Sequence, residues 1–233
     1  MATSRAILTY HSLDPSPAVT SLHPDTFRRQ LDWLAATRTP VLPLTEIISA
    51  SRGVALTFDD GYSNLLTHAI PALARHRFPA TFFINCDSAS QGGNFLDWSA
   101  LRAARSAGVD IGVHGLTLLD LSRTPLPEAI LQLDACRREI EDRLGSPALT
   151  CAYPYGRSTP QLRNWARRAF QVSCGTRLRY LSPHDDPADL PRLDTYYLQS
   201  APLFERLFQS SGRLYLGLRA LLREARARWS PTS

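Results

Sequence analysis

Short apolar runs of strand character alternate with segments of helical period along most of the chain, and no other feature narrows its fold as much. The runs are 6–11, 41–44, 54–58, 80–85, 110–113, 148–153 and 171–174, with a last extended piece at 193–198. Between them, 23–37, 65–76, 99–107, 127–144 and 160–169 read as helices. The first of these sets Phe27, Leu31 and Leu34 at helical spacing, with Asp25 expected to cap its start. Strands this short and this apolar belong to a parallel sheet covered by helices, so the order βαβα predicts a single α/β barrel or doubly wound sheet. Right-handed crossovers then gather the functional loops at the C-terminal ends of the strands. Residues 1–200 are expected to form this body. Residues 201–233 are expected to add an Arg-rich helix that closes the same domain, with a membrane-surface or partner-binding helix as the alternative; Phe204, Leu207, Phe208, Leu214, Leu218, Leu221 and Leu222 fall at helical spacings and Arg213, Arg219, Arg223, Arg226 and Arg228 between them.

With 233 residues, 44% of them apolar, the chain has material for one sizeable core. No run approaches the roughly 18 apolar residues of a spanning helix, so no transmembrane segment is expected. Residues 1–10 lack the charged head, long apolar stretch and cleavage site of an export signal, which predicts a cytoplasmic protein. All 26 basic residues are Arg and the net charge is +5. The pairs Arg28–Arg29, Arg137–Arg138 and Arg167–Arg168 fall on separate helices instead of one stripe, so no nucleic-acid surface is expected. Cys86, Cys136, Cys151 and Cys174 form no C-x-x-C pair and read as buried free thiols.

Three segments carry chemistry. Val54 to Tyr62 is an apolar strand that ends in Asp59, Asp60 and Gly61. Two adjacent carboxylates repel unless a cation lies between them, and Gly61 permits the sharp turn that aims both into one cavity. This suggests one Asp as metal ligand and the other as base, against the plainer reading of an acidic helix cap. Ile111 to Gly115 ends a second strand in His114, either a structural His or the imidazole partner of those acids. Ala152 to Arg157 holds a Pro-aromatic-Gly turn, which fixes the backbone so that an N–H can point into a pocket, or is simply a turn.

Together and in order, these segments resemble the polysaccharide deacetylase family with NodB-like homology, carbohydrate esterase family four. Thr57-Phe58-Asp59-Asp60-Gly61 looks like its first motif, His114 with Gly112 and Leu121 its second, and Tyr153-Pro154-Tyr155-Gly156 its third. Leu8 to Ser12, Pro79 to Phe83 and Leu190 to Leu193 are also similar, so the likeness spans about residues 6–198. The resemblance implies a distorted, incomplete (β/α) barrel of seven to eight units and metal-dependent removal of acetyl groups from N-acetylated saccharides. By that likeness Asp59 is the catalytic base, and Asp60 and His114 are ligands of a divalent metal, zinc first, cobalt or nickel next. The Tyr155 backbone N–H holds the oxyanion, and Tyr153, Pro154 and Gly156 line the substrate site.

The chain also departs from the pattern, and is identified as an atypical member. Leu118 stands where the second motif has another metal-binding His, and leucine cannot ligate. His11, and after it His68 or Asp120, are the candidates to complete the shell. Tyr153 stands where many members carry an Arg that orients the base, and Arg192 is expected to supply that guanidinium. The C-terminal motif bearing the usual acid is absent, which leaves His184 as a substitute or as a loop residue. Two rivals therefore stay open: a homologue that binds saccharides but has lost its metal and its turnover, and a related C–N hydrolase acting on a small amide. The oligomeric state is not readable from the sequence.

Overall fold

The structure, a computed structural model, describes residues 4–16 and 20–229, with the side chains of 4 and 227–229 excepted. Residues 1–3, on which the reading of the N-terminus partly rests, and the side chain of Arg228 lie outside the described residues.

The chain opens with β1 (Ser4–Tyr10), the short pair β2 (Ser12–Leu13) and β3 (Ser21–Leu22), and α1 (Pro24–Ala36). There follow β4 (Arg52–Phe58), α2 (Leu65–His76), β5 (Ala80–Ile84), α3 (Cys86–Gln91), α4 (Trp98–Ser106), β6 (Val109–Val113) and α5 (Leu126–Leu144). The last third holds β7 (Thr150–Ala152), α6 (Pro160–Ala169), β8 (Val172–Cys174), β9 (Leu193–Asp194), α7 (Ala201–Phe204) and α8 (Ser210–Trp229). Seven strands form one parallel sheet in the order β8-β7-β6-β5-β4-β1-β9. Neighbours along the sheet are neighbours in sequence until β9 returns to β1, which is the circuit of a (β/α) barrel. It stays open at one seam, where β8 and the approach to β9 share a Cys174–Leu190 bridge and a few backbone hydrogen bonds but no strand ladder. This is the incomplete barrel that the resemblance implies, and it decides between the barrel and the doubly wound sheet that the alternation left open.

The side chains sort by strand parity. Ile7, Ala55, Phe83, Ala152 and Cys174 pack together inside the curl with Leu44, Ile47 and Leu190. Leu8, Leu56, Phe58, Phe82 and Val113 face the helices. Outside, Tyr10 stacks on Phe58 at 5.0 Å, and Phe58 meets Phe82 and Phe27 edge-on, tying α1 to the sheet just below the strand ends. Each such pair is worth about 0.5–1.5 kcal/mol beyond the area it buries.

Several sequence readings need correction. Residues 41–44 form no strand and touch the sheet through one bridge, Val41 to Val54, because prolines at 40 and 43 remove ladder donors. Extended structure at 193–198 stops at Asp194, whose carboxylate accepts from the Tyr196 amide and opens a 3₁₀ turn over Thr195–Leu198. His23, not Asp25, caps α1: its Nδ1 accepts from the Asp25 amide. Helix α3 was not expected; Asn85 caps it through the Ser88 amide. The tail is two helices, and all four thiols are buried and free. Among the described residues, no helix is long and apolar enough to cross a membrane.

Candidate active site

The inward parity of the strands decides what stands at the barrel mouth. Ala55 and Thr57 point inward, so Asp59, the next residue of that phase, does too. Ile7 and Thr9 bring His11, and Gly112 brings His114. Asp59 continues the ladder by donating its amide to the Tyr10 carbonyl at 3.0 Å. Asp60 and Gly61 then both take left-handed backbone, φ 67° and 70°, which swings the second carboxylate back to the first. A Cβ on Gly61 would stand 2.8 Å from Ile84 Cγ2, so that turn needs a glycine.

Arg192 crosses from the open seam to hold Asp59. Its Nη1 and Nη2 donate to Asp59 Oδ1 and Oδ2 at 2.7 and 2.8 Å, its Nε donates to the Gly175 carbonyl at 2.9 Å, and Thr57 accepts from Nη1 at 3.3 Å. Both charges are buried, Arg192 to 2% exposure and Asp59 to 4%. Burial raises the Asp59 carboxyl, but the Arg192 charge, with His114 and the Arg192 hydrogen bonds, outweighs it and holds the group at about 2. Asp59 is ionised and fixed at neutral pH.

Asp60 faces His114, with Oδ1 3.6 Å from Nε2. The His114 Nδ1 lies 2.7 Å from the Ala152 carbonyl. A carbonyl only accepts, so Nδ1 carries a proton, and Nε2 is the ring nitrogen that faces Asp60. Two donors on one tetrahedral ion with bonds of ~2.1 Å stand about 3.4 Å apart, so Asp60 and His114 fit two positions on one divalent cation. Burial and the neighbouring Asp59 charge raise the Asp60 carboxyl against the pull of His114.

The third position is not filled by side chains. Among the described residues, no group of three or more His, Cys, Asp or Glu is arranged to hold one metal ion. His11, expected as the third ligand, stands beside the base instead, its Nε2 3.9 Å from Asp59 Oδ2, because it follows β1 next to the strand that ends in Asp59. Asp120 is engaged by Arg157 at 2.7 Å and by Ser122, and His68 sits on α2. Leu118 is 41% exposed and accepts from the Tyr155 hydroxyl at its carbonyl, 3.4 Å away.

The third segment makes a 3₁₀ turn, Pro154–Gly156, with Tyr155 at φ 57°. The Gly156 and Arg157 amides return to the Tyr153 and Pro154 carbonyls, and no hydrogen bond engages the Tyr155 amide among the described residues. Gly156 passes so close to Thr176 that a Cβ would fall 2.2 Å from its hydroxyl. Tyr153 and Pro154, expected to line the substrate site, are buried. Tyr153 donates its hydroxyl to the Ala188 carbonyl at 2.8 Å, so both anchor the turn while Tyr155 alone is exposed. His184 lies exposed in a loop, and the imidazoles that act on the two carboxylates are His11 and His114. Thr57, read only as part of the first motif, and Gly175 hold Arg192, a role the sequence did not mark. The inward phase of β4 was the available signal for Thr57, and nothing local marked Gly175.

A fixed, ionised carboxylate beside a carboxylate–imidazole pair, at the C-terminal mouth of an open (β/α) barrel, is an arrangement suited to hydrolysis. A model of the polysaccharide deacetylase family matches residues 48–171, just over half of the chain, which thus belongs to that family. Among solved structures, a Streptococcus pyogenes deacetylase, PplD, in complex with acetate is similar at a TM-score of 0.76 and 20% identity, covering 81% of this chain and 91% of its own. IcaB from Ammonifex degensii is similar at 0.76 and 21%, covering 88% and 98%. A de-N-acetylase from Aggregatibacter actinomycetemcomitans gives 0.69 and 16%, over 81% and 94%. At such identities the likeness is one of fold. No curated protein matches the chain by sequence.

Proposed function

We propose that the protein removes acetyl groups from N-acetylated saccharides with the help of one divalent metal ion held by Asp60 and His114. The observation that carries this reading is the convergence, at one barrel mouth, of an Arg192-fixed Asp59 with the Asp60–His114 pair. A bound cation supplies Lewis acidity at the acetamide carbonyl and makes nearby water easier to deprotonate. The protein's own groups do the rest. Asp59 takes the proton of the attacking water, and its bidentate grip by Arg192 keeps it ionised and oriented. The Tyr155 amide donates to the developing oxyanion. His11, beside Asp59, is the group placed to return the proton to the leaving nitrogen, giving acetate and a free amine. Family membership and the fold support the deacetylation; zinc, with cobalt and nickel as alternatives, suits a carboxylate and an imidazole.

A second reading, saccharide binding without turnover, draws on Leu118 at the position of a ligand. Acetate release from N-acetylated chitooligosaccharides, in chelator and with added zinc, cobalt or nickel, separates the two. Metal-stimulated release that falls by about 10²-fold or more in Asp59→Asn is expected, the usual worth of a general base. Oligosaccharide binding with no release under any metal supports the second reading.

A further inference from the structure

Helix α8 is apolar on two opposite faces, and the domain covers only one of them. On the inner face Leu216 is buried, Gly212 lies where a Cβ would meet the Arg206 carbonyl at 2.0 Å, and Arg213 and Arg219 lie over the rings of Tyr180 and Tyr197. On the outer face Leu214, Leu218, Leu221 and Leu222 recur at i, i+4, i+7 and i+8, and the first three are 77%, 57% and 66% exposed. Single exposed leucines are ordinary, whereas a stripe of four on one helix marks an interaction surface.

Charge selects what covers the stripe. At 3.6 residues per turn the exposed Arg226 borders it, with the half-buried Arg223 further round, while Arg213 and Arg219 turn inward onto Tyr180 and Tyr197. Glu224 is the one acid of α8. A second copy of the chain laid against the stripe would bring two arginine-rich helices together, and each has a single carboxylate to offset them. A surface dense in phosphate matches both features, with hydrocarbon for the leucines and anionic headgroups for the guanidinium groups.

We propose that α8 is a peripheral anchor that lies in the interface of an anionic phospholipid membrane, outer leucines toward the acyl chains. Co-sedimentation of the full chain tests this with vesicles of phosphatidylglycerol and phosphatidylcholine, against phosphatidylcholine alone. Binding to the anionic vesicles only is expected. It weakens as salt rises, and drops about tenfold or more in Leu218→Ser/Leu221→Ser, with melting temperature unchanged because both side chains face solvent. Absence of binding to the anionic vesicles, or equal binding by wild type and the double variant, overturns the proposal. So does a light-scattering mass showing that the wild type pairs through the stripe as a dimer that the double variant loses.

Discussion

Arg192 and Asp59 form a buried ion pair with both guanidinium edges in use, so the two residues are mechanically one unit. Removing one partner of such a pair leaves an uncompensated buried charge. Arg192→Ala is therefore expected to destabilise the protein by about 3–5 kcal/mol in urea unfolding as well as abolish turnover. Arg192→Lys, a point charge without the fork, retains more stability but lowers kcat. Full activity in either variant would show that Asp59 needs no such hold. The pair also sets an acid dependence. The folded carboxyl is held at about 2 against an ordinary value of 3.8, so its contribution, roughly 2 kcal/mol, is complete above pH 4 and is lost as pH falls from there towards 2. In metal-free protein, unfolding free energy should fall over that window more steeply in wild type than in Asp59→Asn; parallel curves would contradict the assignment. At this scale the sequence revealed Asp59, Asp60 and His114, because each follows an apolar strand with a titratable group. Tyr153 was misread, since turn composition does not say which of two tyrosines is buried, and that His11 stands beside Asp59 depends on which strands are adjacent.

At the scale of elements, the strands act as rulers. Gly112 precedes His114 by two residues on the inner face of β6, and a Cβ there would stand 2.6 Å from the Phe83 ring and from Thr150 Oγ1. Gly112→Ala is expected to cost about 1–3 kcal/mol by overpacking and to weaken cobalt binding through displacement of His114. Calorimetry and urea unfolding check both, and an unchanged protein would mean that the barrel interior yields freely. The loop after β6 is tied to the Tyr155 turn twice, by Arg157 to Asp120 and by the Tyr155 hydroxyl to the Leu118 carbonyl. That tie fixes position 118 at the rim, so Leu118→His is expected to raise zinc affinity tenfold or more, a supporting partner alone being worth 10–100-fold. Equal affinity in the two proteins would show that the loop does not offer that position to the ion. Helices α2 and α6 were legible to the residue, since their periodicity and punctuation agree. The six-residue α3 was not, being too short for a period, and 41–44 was misread because apolar composition outweighed its prolines.

Across the whole molecule, the site depends on contacts that sequence spacing hides. Arg192 lies 133 positions beyond Asp59 and reaches it only because the barrel fails to close between β8 and β9, which leaves the segment before β9 to fold inward at the seam. The alternation of strands and helices was readable from local periods. The location of the opening was not, because it depends on where the last strand returns to the first. The proposed activity needs a single cation between Asp60 and His114 serving an Arg192-held base. Its most direct test is to add cobalt stepwise to metal-free protein and follow bound metal and acetate release from an N-acetylated chitooligosaccharide in the same sample. The rate should climb in proportion to bound cobalt up to one ion per chain, and His114→Gln should show neither tight binding nor release. Release that is undiminished in chelator, or a full complement of cobalt in His114→Gln, would contradict it.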